Sequence, residues 1–171
     1  YKMTMIPDSV FSPQTHDWKT ALSSSIHRLQ DLLDYCQIDI SDAALSLNNG
    51  FPLRVTRYYA DLIEKGNARD PLLLQVLPQA QEMLLSAGYH EDAVGDHQAM
   101  AAAGLIHKYP GRVLLTLTGA CAIHCRYCFR RHFPYNEVIS NWSMPGAAMD
   151  YLGEHSEITE VILSGGDPLM L

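Results

Sequence analysis

Two short apolar runs, RVLLTLT at Arg112–Thr118 and ITEVILS at Ile158–Ser164, constrain the fold of this chain more than any other feature. The first is nearly continuous and β-branched, the pattern of a strand buried on both faces. Between the two, SMPGAAMDYLGEH predicts a helix, with Ser143 as its candidate cap. Strand, loop, helix, strand is a βαβ unit, and parallel strands need such a crossover. The expected class is α/β. Reactive groups in such folds collect on loops at the carboxyl ends of the strands. Here those loops carry CAIHCRYC, Cys121–Cys128, after the first strand and SGGDP after the second.

The preceding residues read as mostly helical. In HDWKTALSSSIHRLQDLLDYCQI, the residues Trp18, Leu22, Ile26, Leu29, Leu33 and Cys36 recur at three- and four-residue steps, predicting one amphipathic helix with Cys36 as core filler. A short helix is expected over SDAALSLNNG, with Ser41 as N-cap and Gly50 as terminator. Another is expected in RVTRYYADLIEKG, closed by Gly66. A third starts at Asp70 as N-cap with Pro71 at the first position. From Gly88 to Gly104 the pattern dissolves and predicts a connecting segment. The expected organisation is a helical region and connector over residues 1–105, then a βαβ unit over 106–171. The sequence starts without Met and stops after the second glycine turn, so a fragment with an unfinished sheet is expected.

With 47% hydrophobic and 18% charged residues the chain is globular in composition. Its net charge of -7 argues against a nucleic-acid-binding surface, which needs clustered Lys and Arg. No apolar run approaches the roughly 20 residues of a membrane span, and YKMTMIPDSV lacks a signal-peptide pattern. A cytoplasmic setting with reduced thiols is therefore expected. Thiols three or four positions apart also pair badly as disulfides.

The spacing of Cys121, Cys125 and Cys128 is C-x3-C-x2-C. Clustered thiolates select zinc, copper(I) or iron–sulfur clusters. A structural zinc needs a fourth ligand, for which His124 and His132 are the candidates. Three cysteines also match a four-iron cluster with one iron left open to a small molecule.

C-x3-C-x-aromatic-C followed by SGGDP on the neighbouring strand resembles the signature of the radical S-adenosylmethionine enzymes. HKYPGRVLLTLTGACAIHCRYCFRRHFPY and VILSGGDPLML are similar to the lysine 2,3-aminomutase family. CRYCFRRHFPY and RVTRYYADLIEKGNARDPLLLQVLP resemble its elongation factor P β-lysylation branch, with a match from about Phe51 to Leu171. AMAAAGLIHKYP departs from the family, which usually has a Pro-containing stretch before Gly-Leu. The resemblance implies a helical region leading into a partial (β/α) barrel, apparently truncated after its second strand. It implies a [4Fe-4S] cluster on Cys121, Cys125 and Cys128. S-adenosyl-L-methionine would lie against Ser164, Gly165, Gly166 and Asp167, with Tyr127 beside its adenine. Asp167-Pro168 also reads as an ordinary helix cap, and Tyr127 as packing.

The resemblance further implies pyridoxal 5′-phosphate, its phosphate on Lys108, Tyr109 and Arg112, where Lys108 replaces the Arg of several relatives. A plain solvated strand start is the alternative for these three. Arg130 matches the family's arginine for the substrate carboxylate, while Arg131 is expected to be a surface neighbour. The family's pyridoxal-anchoring lysine has no counterpart here, since Lys2, Lys19, Lys65 and Lys108 all stand in other contexts. The implied activity is an isomerase converting L-lysine to (R)-β-lysine for modification of elongation factor P. Its implied partners are a flavodoxin or ferredoxin as electron donor and the factor's lysyl ligase, with no nucleic acid or membrane and with homo-oligomers allowed. The alternatives are a free β-lysine aminomutase, a non-catalytic zinc-stabilised domain, and a metal-free, partly folded piece.

Overall fold

A computed structural model describes residues 18–39, 50–136 and 146–171. Helices α1 (Trp18–Ser23), α2 (Leu29–Cys36), α3 (Arg57–Asp61) and α4 (Pro71–Val76) precede the sheet. The sheet holds β1 (Met100–Ala102), β2 (Leu105–Tyr109), β3 (Arg112–Thr118) and β4 (Glu160–Gly165) in that order. Helix α5 (Gly146–Glu154) crosses from β3 to β4. The expected Ser41 cap and most of its helix lie outside the described residues, as does Ser143. Among the described residues no helix is long and apolar enough to cross a membrane.

The single amphipathic helix expected from Trp18 to Cys36 is two helices. Ser23 and Ser24 turn their hydroxyls onto the carbonyls of Thr20 and Ala21, the local competition that makes serine a weak helix former. Ile26 then leaves helical geometry and exchanges two backbone hydrogen bonds with Val55, at 2.7 and 3.0 Å. Burial of Ile26 and Val55 repays the broken helix. Leu33 and Cys36 keep their expected core positions, packed with Val55, Ala60, Leu73 and Val76. Trp18, placed on the same stripe by sequence, is about half exposed.

The helix expected to run to Gly66 stops at Asp61. Gly66 instead occupies a turn at φ +76°, where its N–H reaches Cys36 O at 2.9 Å and ties α2 to the segment after α3. Asp70 caps α4 as expected, taking the N–H groups of Leu72 and Leu73 at 2.8 and 2.9 Å, and its other oxygen accepts Glu64 N–H. Because Asp70 is buried, Asp70→Ala orphans three donors and is expected to destabilise by about 2 kcal/mol. Denaturant unfolding of the variant checks this; an unchanged midpoint would contradict it.

The expected βαβ unit is present, with β3 and β4 paired in parallel. Two further strands precede it: β1 and β2 form an antiparallel hairpin, and β2 pairs antiparallel with β3. β1 falls inside the segment expected to be a plain connector, because Ala101, Ala102 and Ala103 carry little strand propensity. Strand alternation gives β3 two distinct faces. Val113 and Leu115 pack with Ala148, Tyr151 and Leu152 of α5. Leu114 lies on the opposite face with Ile106, Phe133 and Tyr135. That second face also carries Arg112, Thr116 and Thr118, and the segment after the cysteines folds over it.

Candidate functional site

The cysteine loop leaves β3 at Thr118, and β4 ends beside it at Gly165. The two turns dock backbone to backbone. Gly166 N–H reaches Thr118 O at 2.6 Å, and Asp167 N–H reaches Ala120 O at 2.7 Å. A Cβ on Gly165 would stand 2.3 Å from Thr118 O, and one on Gly166 would stand 2.3 Å from Ala120 O. Gly165 also holds φ +121°, so only glycine satisfies both its conformation and this approach. The Gly-Gly pair thus brings Asp167 against the start of the cysteine loop. Asp167 Oδ1 accepts Leu169 N–H at 3.0 Å and caps the short 3-10 turn Pro168–Met170. The cap reading of Asp167 therefore holds for one oxygen; among the described residues the second has no hydrogen-bond partner.

The loop is fastened to the helical region as well as to the sheet. His124 N–H reaches Arg54 O, Arg126 N–H reaches Gln75 O, and Arg54 Nη1 donates to Cys121 O, at 2.9, 2.7 and 3.2 Å. Glu82 takes Arg126 by both Nε and Nη2, at 3.0 and 2.6 Å, and accepts Arg131 Nη1 at 2.7 Å. Both guanidinium groups lie about 5 Å from the Phe51 ring centre. Arg131 is thus a largely buried ion-pair partner, not the surface neighbour expected from sequence. Burial alone would raise the Glu82 carboxyl, but the Arg126 fork, the Gln79 N–H and Arg131 outweigh it and hold the group at about 2. Nothing in the sequence pairs Glu82 with residues more than forty positions away.

All four cysteines are free. Cys36 is core filler, as expected. Cys121, Cys125 and Cys128 are half-buried. Burial pushes the thiols of Cys121 and Cys125 up, and the Cys128 sulfur adds to both shifts. Cys125 and Asp167 raise Cys121 further. Each negative charge formed here makes the next costlier, so a cationic centre is what would let all three ionise together. That donor set fits an iron–sulfur cluster. Among the described residues, no three His, Cys, Asp or Glu side chains converge as one metal ion requires. A single zinc would draw its sulfurs to about 3.8 Å apart at a Zn–S length of about 2.3 Å, whereas a four-iron cluster spreads them over separate irons. His124, a candidate zinc ligand, spends Nδ1 on Pro52 O at 3.0 Å and packs its ring on Phe51. Burial lowers its pKa. Tyr127 projects its ring to solvent beside the loop, its hydroxyl 3.4 Å from Gln75 Oε1.

The residues nominated for phosphate and carboxylate meet around one cavity of about 280 Å³, lined by Lys108, Tyr109, Arg112 and Arg130 together with Phe129 and Asp96. Arg130 is buried. Its Nε donates to Asp96 at 2.8 Å, its Nη1 to Ser164 Oγ at 3.0 Å, and its guanidinium lies 4.8 Å from the Phe129 ring centre. Lys108 Nζ donates to Asp96 and, at 2.6 Å, to Val94 O. Arg112 pairs with Glu160 at the exposed end of β3. Asp96 lies in the segment expected to be a connector and carries no motif that marks it.

No family model matches the chain. Three proteins named L-lysine 2,3-aminomutase are similar to it. The Escherichia coli protein is 43% identical over 93% of this chain and 47% of its own length. The Haemophilus influenzae protein is 40% identical over 98% of this chain and 50% of its own length. The Clostridium subterminale protein is 31% identical over 91% of this chain and 38% of its own length. The chain spans about half the length of the first two of these relatives. Along nearly all of its own residues this chain is similar to proteins named L-lysine 2,3-aminomutase.

Proposed function

We propose that the chain carries the cluster and S-adenosylmethionine half of a radical, pyridoxal 5′-phosphate-dependent lysine 2,3-aminomutase. The observation that carries this reading is the closure of Gly165–Asp167 onto Thr118 and Ala120 beside the three half-buried thiols of Cys121, Cys125 and Cys128. When bound, the cluster and S-adenosylmethionine would supply an electron and a carbon-centred radical, and pyridoxal phosphate a π-system on the amino-acid nitrogen.

The chain's own residues would hold and orient these partners. Cys121, Cys125 and Cys128 would each take one iron, releasing their thiol protons on loading. Because the N–H groups of Gly166 and Asp167 are already committed, the turn offers an ammonium its acceptors, including the uncapped Asp167 oxygen. Tyr127 presents an open aromatic face for an adenine. Arg130 would hold the substrate carboxylate, for which its planar fork is suited. Lys108, Tyr109 and Arg112 would take the cofactor phosphate, Lys108 as a point charge. The imine-forming lysine would be supplied from outside these residues.

The substrate in this reading is L-lysine, and a flavodoxin or ferredoxin in the cytoplasm provides the electron. The product, (R)-β-lysine, goes by way of the lysyl ligase to elongation factor P. The similarity of CRYCFRRHFPY to that branch supports this destination. Anaerobic turnover of L-lysine by the full-length protein tests it by the configuration of the product. (R)-β-lysine is the expected result. (S)-β-lysine would contradict the elongation factor P assignment, and no β-lysine would overturn the activity.

A further inference from the structure

We propose that Asp96 is a positioning residue that sets the spacing between the phosphate-holding and carboxylate-holding cations, so that the cavity accepts a ligand bearing both anionic groups on one molecule. The inference rests on the reading of Lys108 and Arg130 above and adds to it a residue that no motif marks.

Asp96 is buried, and its two carboxylate oxygens are divided between two elements. Oδ1 accepts Lys108 Nζ from β2, and Oδ2 accepts Arg130 Nε from the segment after the cysteines. Lys108 and Arg130 would otherwise hold long side chains with many rotamers, and fixing each costs conformational entropy. One short, rigid carboxylate between them pre-orders both before any ligand arrives. The carboxylate is itself held. The N–H groups of Asp96 and His97 both reach the Asp92 side chain, at 2.8 and 3.0 Å, and this clamps the turn that delivers Asp96.

The way the donors are divided argues for positioning over simple neutralisation. Asp96 uses only Arg130 Nε, and Ser164 Oγ takes Nη1. Among the described residues Nη2 has no partner, so the outer edge of the guanidinium keeps donors for a ligand. Lys108 spends two donors, on Asp96 and Val94 O, and keeps its third. Both cations stay usable while their separation is fixed. The cavity beside them is bounded by the same two residues and by Arg112 and Tyr109. A phosphate and an amino-acid carboxylate joined through one pyridoxyl ring are the pair of charges this arrangement would read.

The test is a titration of the full-length protein with phosphopyridoxyl-lysine and with phosphopyridoxyl-cadaverine, which lacks only the carboxylate. The ratio of the two affinities isolates the gain from the carboxylate, whatever happens at the phosphate end. Asp96→Asn removes the charge, and Asp96→Glu keeps it but displaces it by one methylene. The second variant reads out the effect even if the first fails to fold. Both variants are expected to lower the ratio by about tenfold. An unchanged ratio, with or without a parallel loss of both affinities, would reduce Asp96 to a structural ion-pair partner. Tighter binding of both ligands would make it an occluding counter-ion and overturn the proposal. If the parent binds neither compound, the pyridoxal reading of the cavity falls, and the role of Asp96 falls with it.

Discussion

Replacing Gly166 by alanine is expected to cost on the order of 3 kcal/mol and to separate the two loops that make the site. A Cβ there would stand 2.3 Å from Ala120 O, 2.8 Å from Ala120 C and 2.9 Å from Gly119 C. All three neighbours are backbone, so no side-chain rotation relieves the contact. The strand ends must move apart, which breaks the Gly166–Thr118 and Asp167–Ala120 hydrogen bonds and removes Asp167 from the cysteine loop. Gly153→Ala is the control, because an added Cβ on this α5 glycine meets nothing within 4 Å. That variant is expected to be neutral or slightly stabilised. Denaturant unfolding of the two variants compares them directly. Equal midpoints would show that the close approach at Gly166 does not matter.

Glu82→Gln is expected to destabilise by about 3 kcal/mol near neutral pH, because it leaves Arg126 and Arg131 buried without their shared anion. The pH dependence follows from the direction of the shift. The folded carboxyl sits at about 2, below its usual 4.5, so its contribution is complete above about 5 and is lost as the pH falls toward 2. The stability gap between parent and variant should therefore narrow through that window. A gap that holds constant from pH 5 to pH 2 would contradict the ion-pair account. Because Arg126 and Arg131 flank Cys128, the same variant is expected to loosen the loop, read as faster thiol alkylation at neutral pH.

Features set by local chemistry were legible in the sequence. The Asp70–Pro71 start of α4, the strands Arg112–Thr118 and Glu160–Gly165, and the crossover helix between them all follow from caps and periodicity within a few residues. The juxtaposition of CAIHCRYC and SGGDP was also legible, because parallel neighbours place their following loops side by side. What escaped was tertiary. Ile26 continues a helical stripe in sequence but pairs with Val55 in space. The alanines of β1 become strand only because β2 lies next to them. Glu82 and Asp96, the two carboxylates that hold the arginines around the cysteines, sit in stretches whose sequence carries no signal of those partners. The arginines they hold lie 34 to 49 residues away. A single sequence records the identity of such residues and not their proximity.

The central claim is that Cys121, Cys125 and Cys128 hold an iron–sulfur cluster. Anaerobic iron and sulfide analysis with an absorption spectrum, on the parent and on Cys125→Ala, tests it most directly. The account predicts a broad band near ~400 nm with about four iron and four sulfide per chain in the parent, and their loss in the variant. A colourless parent containing about one zinc and no acid-labile sulfide would contradict it and return CAIHCRYC to a structural role.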